Sequence, residues 1–235
     1  MEKINVKAVL FDLDGTLLPM DQDYFIRTYF KAITKKLSGD GYDPELFMKA
    51  MMYGIDKMIR NDGSDTNEGA FWKAFSTAYG KDSKQDEPLF EEFYDTQFPK
   101  LQEAVGYSPR ANETVKELLL RGYRLALATN PVFPRVATLE RIKWAGLSAE
   151  DFEIITTYEN SLYTKPNPDY YREIAEAMGL SPEECLMVGN DTTDDASAAK
   201  AGMKVFILTD CLINAAALSL ESLPHGSYTE LLSLL

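Results

Sequence analysis

The stretch Val6-Lys7-Ala8-Val9-Leu10-Phe11-Asp12-Leu13-Asp14-Gly15-Thr16 decides how this chain reads. Its apolar run has the composition of a strand buried on both faces of a parallel sheet. The run stops in two acids, a glycine and a threonine. Open α/β sheets bind their ligands at the carboxyl ends of strands. Two carboxylates placed there repel each other and call for a bound cation or a shared proton. A metal-held Asp12 is suited to attack phosphorus, and Asp14, two positions on, to handle the leaving group's proton.

From about residue 106 onward the chain repeats helix, glycine, strand and polar loop. Ser108-Pro109 opens a helix with an N-cap and a proline at the first helical position. Ala111, Val115, Leu118 and Leu119 form its apolar stripe, Gly122 ends it, and a strand over 124–129 follows. A helix from about Pro134 to Gly146 leads to a strand over 152–156. A helix over 168–178, a capped turn at 181–184 and a strand over 185–189 come next. The spacing then predicts a helix over 194–201 and a last clear strand over 204–208. Strands alternating with helices at this interval specify right-handed crossovers and a doubly wound, Rossmann-like parallel sheet covered on both faces.

Residues 20–105 break that rhythm. Phe25, Tyr29 and Ile33, then Phe71, Trp72 and Phe75, recur at helical spacing, and no stretch there reads as a strand. The expected organisation is an α/β core from residues 1–19 and 106–235, with residues 20–105 inserted as a helical bundle. Trp72 reads as a core residue, as do Tyr163, Tyr170 and Tyr171.

Each later strand end carries a polar group suited to phosphoryl chemistry. Thr129-Asn130 can donate hydrogen bonds to a phosphoryl oxygen. Lys165, stiffened by Pro166 and Pro168, can face developing negative charge. Gly189-Asn190-Asp191-Thr192-Thr193-Asp194-Asp195 is an acidic cluster capable of completing a magnesium site. Read alone, Asp194 is a helix N-cap or an exposed acid. Parallel strands bring these ends to one edge.

The set Asp12-x-Asp14-Gly15-Thr16, Thr129, Lys165-Pro166 and Gly189-Asn190-Asp191 with Asp195 resembles the four motifs of the haloacid dehalogenase superfamily. The similarity is to the branch whose helical cap follows the first strand. The resemblance implies that Asp12 forms an aspartyl-phosphate. It implies that Asp14 serves as acid and then base, that Thr129 and Asn130 bind phosphate, and that Lys165 steadies the phosphoryl group and Asp12. It further implies that Mg²⁺ binds Asp12, the main-chain carbonyl of Asp14, and Asp191, with Asp195 behind them. Asn190 departs from the commoner pattern of glycine followed directly by aspartate. That leaves Asp191, Asp194 and Asp195 as contenders for the metal, with Asp191 preferred. A cap must also touch the substrate. Lys57, Arg60 and Asn61 are candidates for its non-phosphate part, against the plainer reading of a solvated helix end and turn.

Composition narrows the alternatives. Lys+Arg 24 against Asp+Glu 37 gives a net charge of −13, which argues against nucleic acid or anionic lipid as partners. No run is apolar enough to span a bilayer, and a cytoplasmic location is expected. Cys185 and Cys211, far apart, read as small buried hydrophobes without a disulfide or zinc site. His225, the single histidine, lies between Pro224 and Gly226 in what reads as a turn, which argues against Ser–His catalysis.

The expected activity is a magnesium-dependent phosphatase for a small phosphorylated metabolite, for which a monomer suffices. A phosphomutase shares the acid pair but often uses a cap histidine, and this cap has none. Dehalogenases of the superfamily lack the second acid, so Asp14 argues against halide chemistry. Phosphonate cleavage there uses a cap lysine. The non-enzyme alternatives are a receiver-type switch, normally much shorter, and a member that binds phosphate as a regulator without turnover. Cap hinges are expected near Leu18-Pro19 and Gly106.

Overall fold

The computed structural model describes residues 3–214, 217, 220 and 223–235. In chain order the strands are β1 (Ala8–Phe11), β2 (Arg124–Leu127), β3 (Ile154–Ile155), β4 (Cys185–Gly189), β5 (Lys204–Leu208) and β6 (His225–Gly226). They form one sheet in the order β3-β2-β1-β4-β5-β6, with every pair parallel. β1 therefore runs between β2 and β4, with Phe11 level with Leu127 and Val188. The ends of these three strands stand side by side at one edge.

Side chains along a strand point alternately to opposite faces, and the apolar residues divide accordingly. Val9 and Phe11 of β1, Leu125 and Leu127 of β2, and Leu186 and Val188 of β4 enter one core cluster. Ala8 and Leu10, Ala126, and Cys185 and Met187 enter another on the opposite face. Helices α5 (Pro109–Leu120), α6 (Arg135–Trp144) and α9 (Tyr228–Leu234) cover the first face, α7 (Pro168–Ala177) and α8 (Ala198–Ala201) the second. Both faces are thus dry, as the continuous apolar run of β1 requires.

Between β1 and α5 lie α1 (Gln22–Gly39), α2 (Pro44–Ile59), α3 (Asn67–Tyr79) and α4 (Glu87–Thr96), with no strand among the described residues there. Their starts are written in the sequence. Asp21, Asp43 and Thr66 each accept a backbone N–H of the first helical turn, and Pro44 occupies a first-turn position of α2. Their buried aromatic residues join the first core cluster, and Phe25 meets Trp144 of α6 edge-on at 6.3 Å. The two connections expected as hinges touch, since the Gly106 N–H donates to the Pro19 carbonyl at 2.7 Å.

Several local expectations are corrected. The strand read over 152–156 pairs only at Ile154–Ile155, and the helix read over 194–201 is a 3₁₀ turn, Asp195–Ser197, followed by four helical residues. The reason lies in the side chains that pull this segment toward the strand ends, described below. His225 belongs to β6 instead of a turn, its strand pairing with Ile207–Leu208, although the residue itself is exposed. A two-residue strand is too short to show periodicity. Leu119 is 38% exposed and lies off the buried stripe. Ser108 sits at the N-cap of α5 without a side-chain capping bond. Cys185 is buried and Cys211 only partly so, both as free thiols. Tyr170, Tyr171 and Trp72 are buried, whereas Tyr163 is half-buried.

Candidate active site at the strand ends

The β1 strand delivers Asp12 to the sheet edge, where its N–H still donates to the Val188 carbonyl of β4 at 2.9 Å. The chain then turns sharply through Gly15, whose φ of +80° lies in the left-handed region that a side chain disfavours. A Cβ there would also lie 2.3 Å from Nδ2 of Asn190. This close approach sets the single proton of Thr16 Oγ1 between Asp12 Oδ2 at 3.2 Å and Asn190 Oδ1 at 3.0 Å, which share it as acceptors.

Lys165 arrives from the loop before α7 and is 3% exposed. Its Nζ donates to Asp12 Oδ1 at 2.8 Å and to Asp195 Oδ1 at 2.6 Å. Burial works against the ammonium charge, but Asp12 and Asp195 outweigh it and hold the group well above the usual lysine range. Burial pushes the Asp12 carboxyl up to about 7; Lys165 opposes this, while Asp195 and Asp14 add to it. Asp195 spends its other oxygen on the N–H groups of Asn190 and Asp191, both at 2.9 Å. Gly189 makes room for that carboxylate, since a Cβ there would meet Asp195 Oδ2 at 2.0 Å. These bonds draw residues 190–195 against the strand ends and explain why a regular helix starts only at Ala198.

Thr129 and Asn130 follow β2. The Thr129 carbonyl accepts from Thr156 and Tyr170, while its hydroxyl makes no protein hydrogen bond among the described residues. Asn130 Oδ1 accepts the Lys165 N–H at 3.3 Å, and its Nδ2 donates to Asp194 Oδ2 at 3.5 Å. Asp12, Asp14, Thr129, Asn130, Lys165, Asp191, Asp194 and Asp195 line one cavity of about 170 Å³. Asp194 is therefore not an exposed capping acid: it makes no side-chain cap bond, and burial raises its carboxyl to about 6. Asp191 uses Oδ1 to accept the N–H groups of Thr193 and Asp194. The inserted Asn190 is a clamp, with Nδ2 donating to the Cys211 carbonyl at 2.7 Å.

Asp14 has a partner that the sequence reading missed. Arg141 of α6, whose side chain is 0% exposed, donates from Nη1 to Asp14 Oδ2. It also donates to Thr138 Oγ1 at 3.2 Å, and its guanidinium lies 4.4 Å from the centre of the Phe133 ring. Asp14 Oδ1 is buried without a hydrogen-bond partner among the described residues. Burial raises the Asp14 carboxyl, while Arg141 and Lys165 pull it down. The Asp14 carbonyl accepts Gln22 Nε2 at 2.9 Å.

The donors suit a hard cation. Five carboxylates of the cavity face two cationic side chains, Lys165 and Arg141, and one fully buried carboxylate oxygen, Asp14 Oδ1, has no hydrogen-bond partner among the described residues. Among the described residues no three His, Cys, Asp or Glu side chains converge closely enough to hold an ion unaided. Mg²⁺ characteristically takes one or two carboxylates and completes its shell with water and substrate phosphate. Asp12, Asp191 and the Asp14 carbonyl fit that habit.

Lys57, Arg60 and Asn61 are not brought to this cavity. They line a separate depression on the inserted helices. Arg60 pairs with Asp56, one turn earlier, at 2.7 Å, and Asn61 Nδ2 closes its own loop onto Asp65 and Asn67. Residues of this segment that do reach the core include Gln22 and Phe25, which line the cavity, and Asn67, fully buried, with Nδ2 donating to the carbonyls of Pro131 and Tyr163.

Comparison with known proteins agrees with this arrangement. A family model described as haloacid dehalogenase-like hydrolase matches residues 6–202. A phosphoglycolate phosphatase of Rhodospirillum rubrum is 27% identical over 215 residues, covering 86% of this chain and 79% of that one. A pyrophosphatase PpaX of Bacillus cereus is 25% identical, covering 86% and 82%. Among solved structures, a HAD phosphatase from Thermococcus onnurineus superimposes with a TM-score of 0.58 at 24% identity, covering 97% of each chain. With a family model spanning β1 to β4, the helices between β1 and α5 and all four strand-end motifs, the chain belongs to the haloacid dehalogenase-like hydrolases.

Proposed function

We propose that the chain is a Mg²⁺-dependent phosphatase that hydrolyses a small phosphorylated metabolite through an aspartyl-phosphate on Asp12. Residues 20–105 act as its cap and residues 1–19 and 106–235 as its catalytic core. One observation carries the reading above the others. Asp12 lines a cavity at the sheet edge with the Lys165 ammonium 2.8 Å away and Thr129 and Asn130 beside it. The relatives named as phosphatases support it.

In this reading an Asp12 oxygen forms a bond to phosphorus as the bond to the leaving oxygen breaks, and Asp14 gives that oxygen its proton. Water then attacks the acyl phosphate, Asp14 takes the water's proton, and phosphate leaves with Asp12 regenerated. Burial and Arg141 act in opposite directions on Asp14, which suits a group that gives a proton in one half-reaction and takes it back in the other. General acid–base help of this kind is worth about 10²–10⁴-fold. Lys165, Thr129 and Asn130 stabilise charge on the equatorial oxygens, where one preorganised donor contributes about 10²–10³-fold. Asp12, Asp191 and the Asp14 carbonyl would hold Mg²⁺, which would supply charge neutralisation at the phosphate. Asp195 acts through Lys165 and the 190–191 backbone. Steady-state release of inorganic phosphate from an aryl phosphate, with and without EDTA, tests the reading. Metal-independent release, or isomerisation of a sugar phosphate without release, would overturn it.

A further inference from the structure

Beside the catalytic cavity lies a larger one of about 620 Å³, and the two share Ile26, Val132 and Phe133 as common wall. Given the phosphatase reading, a phosphoryl group in the smaller cavity would direct its ester substituent into the larger. Met51 and Ile55 of α2, Phe71 and Trp72 of α3 and Phe90 of α4 supply much of the lining. A cavity of about 150 Å³ already admits benzene, so a ring with substituents has ample room here.

The charges of the wall are one-sided. Glu68, Glu87, Glu91, Asp95 and Glu159 line the cavity, and among the described residues no lysine, arginine or histidine does. Lys84 pairs with both Glu68 and Glu87, one positive charge against two negative. Glu91 and Asp95 are exposed and form no ion pair among the described residues. Glu159 accepts the Arg135 backbone N–H with Oε1 at 2.7 Å and keeps Oε2 buried without a hydrogen-bond partner among the described residues. An anionic substituent would meet apolar surface and like charge, and the cations behind the wall, Lys84 and Arg141, are already paired with carboxylates. The Tyr29 and Tyr94 hydroxyls in the wall bond each other at 2.9 Å, leaving one hydroxyl proton, and Trp72 Nε1 is buried without a hydrogen-bond partner among the described residues, a donor for the oxygen of a neutral substituent.

We infer that the substrate is the phosphate monoester of an apolar, aromatic or branched alcohol whose leaving group is neutral or cationic, and that the site selects against carboxylate- or phosphate-bearing leaving groups. This rests on the phosphatase reading and specifies the substrate class. Phosphoglycolate and pyrophosphate, named for the similar enzymes, would be poor substrates here.

The test uses the full chain with Mg²⁺ and phenyl phosphates bearing a 4-aminomethyl, 4-methyl or 4-carboxyl group, with phosphoglycolate alongside. The expected kcat/KM for the 4-carboxyl ester is about tenfold or more below that of the 4-methyl ester, with the 4-aminomethyl ester at least equal to it. In the Glu91→Lys/Asp95→Lys double variant, altered only at exposed positions, the handicap of the 4-carboxyl ester should shrink about threefold or more. Equal or preferred turnover of the 4-carboxyl ester or phosphoglycolate would overturn the inference. Calorimetric titration with 1-naphthol, 1-naphthylmethylamine and 1-naphthoate reads the cavity without turnover. Binding of the first two and not the third supports the selectivity even if no ester is hydrolysed, in which case the phosphatase reading alone fails. Absence of binding by the alcohol and the amine, or tighter binding of naphthoate, overturns the inference whatever the turnover.

Discussion

Replacing Arg141 with methionine strands the Asp14 carboxylate. The pair is enclosed, with side-chain exposures of 0% for Arg141 and 19% for Asp14. Removing one partner of a buried pair costs about 3–5 kcal/mol, because the remaining charge loses its compensation. The partial exposure of Asp14 and its reach to Lys165 place the expected loss for Arg141→Met near the lower end, about 3 kcal/mol. Loss of the guanidinium over the Phe133 ring adds about 1 kcal/mol. Asp14→Asn in turn leaves a buried guanidinium uncompensated. The double variant Arg141→Met/Asp14→Asn removes both charges and keeps similar volumes, so it should be more stable than the sum of the single losses by about 1.5–3 kcal/mol. Urea unfolding of the four proteins at one pH, in EDTA, measures that coupling directly. Losses that add to within about 0.5 kcal/mol would show that the two side chains do not act as a unit and would refute the reasoning. Arg141→Lys should recover part of the stability but not the planar fork that also reaches Thr138.

Asp12→Asn should lower turnover of an aryl phosphate by about 10³-fold or more while circular dichroism stays native; retained turnover would remove Asp12 as nucleophile. Proton and metal should compete for the same carboxyl. Because burial raises Asp12 to about 7 from an ordinary 3.8, its contribution to stability is fully present below the ordinary value and is lost as pH rises through about 7. Mg²⁺ relieves that loss, so the rise in Tm on adding it should grow between about pH 5 and pH 8; a rise independent of pH would contradict the assignment. Gly189→Ala puts a methyl group where Asp195 Oδ2 lies 2.0 Å away. The variant should lose about 1–3 kcal/mol, and kcat should fall through Lys165. Native kcat would show that the Asp195 contact is dispensable.

The legible part of this molecule was the part with local signatures. An apolar run ending in Asp12 and Asp14, and polar residues closing each later strand, marked both the sheet and its active edge, because a strand end fixes where its next side chain emerges. Arg141 left no such mark. It lies near the end of α6, where a basic residue ordinarily meets water and the helix carbonyls, and its partner is 127 positions away. Asn67 read only as the end of a polar loop, whereas it opens α3 and its carbonyl acceptors come from two core loops. Lys57, Arg60 and Asn61 attracted notice through charge and polarity, yet each finds its partners locally. What lines the space between helices and sheet is mostly apolar, and periodicity shows such residues as core without telling a filled core from a cavity wall. Asp194 read as a capping acid because its spacing fits a helix start, whereas the bonds around Asp195 replace that start with a 3₁₀ turn.

The central claim is that the Asp12 carboxylate itself takes the phosphoryl group. An Asp14→Asn variant, given an aryl phosphate whose leaving group needs no acid, should form the acyl phosphate and release it slowly. Quenching that mixture with borohydride reduces an aspartyl-phosphate to homoserine, and peptide mass spectrometry locates it. The account predicts homoserine at position 12 and nowhere else. Homoserine at another aspartate, or phosphate on a different type of side chain, would contradict it.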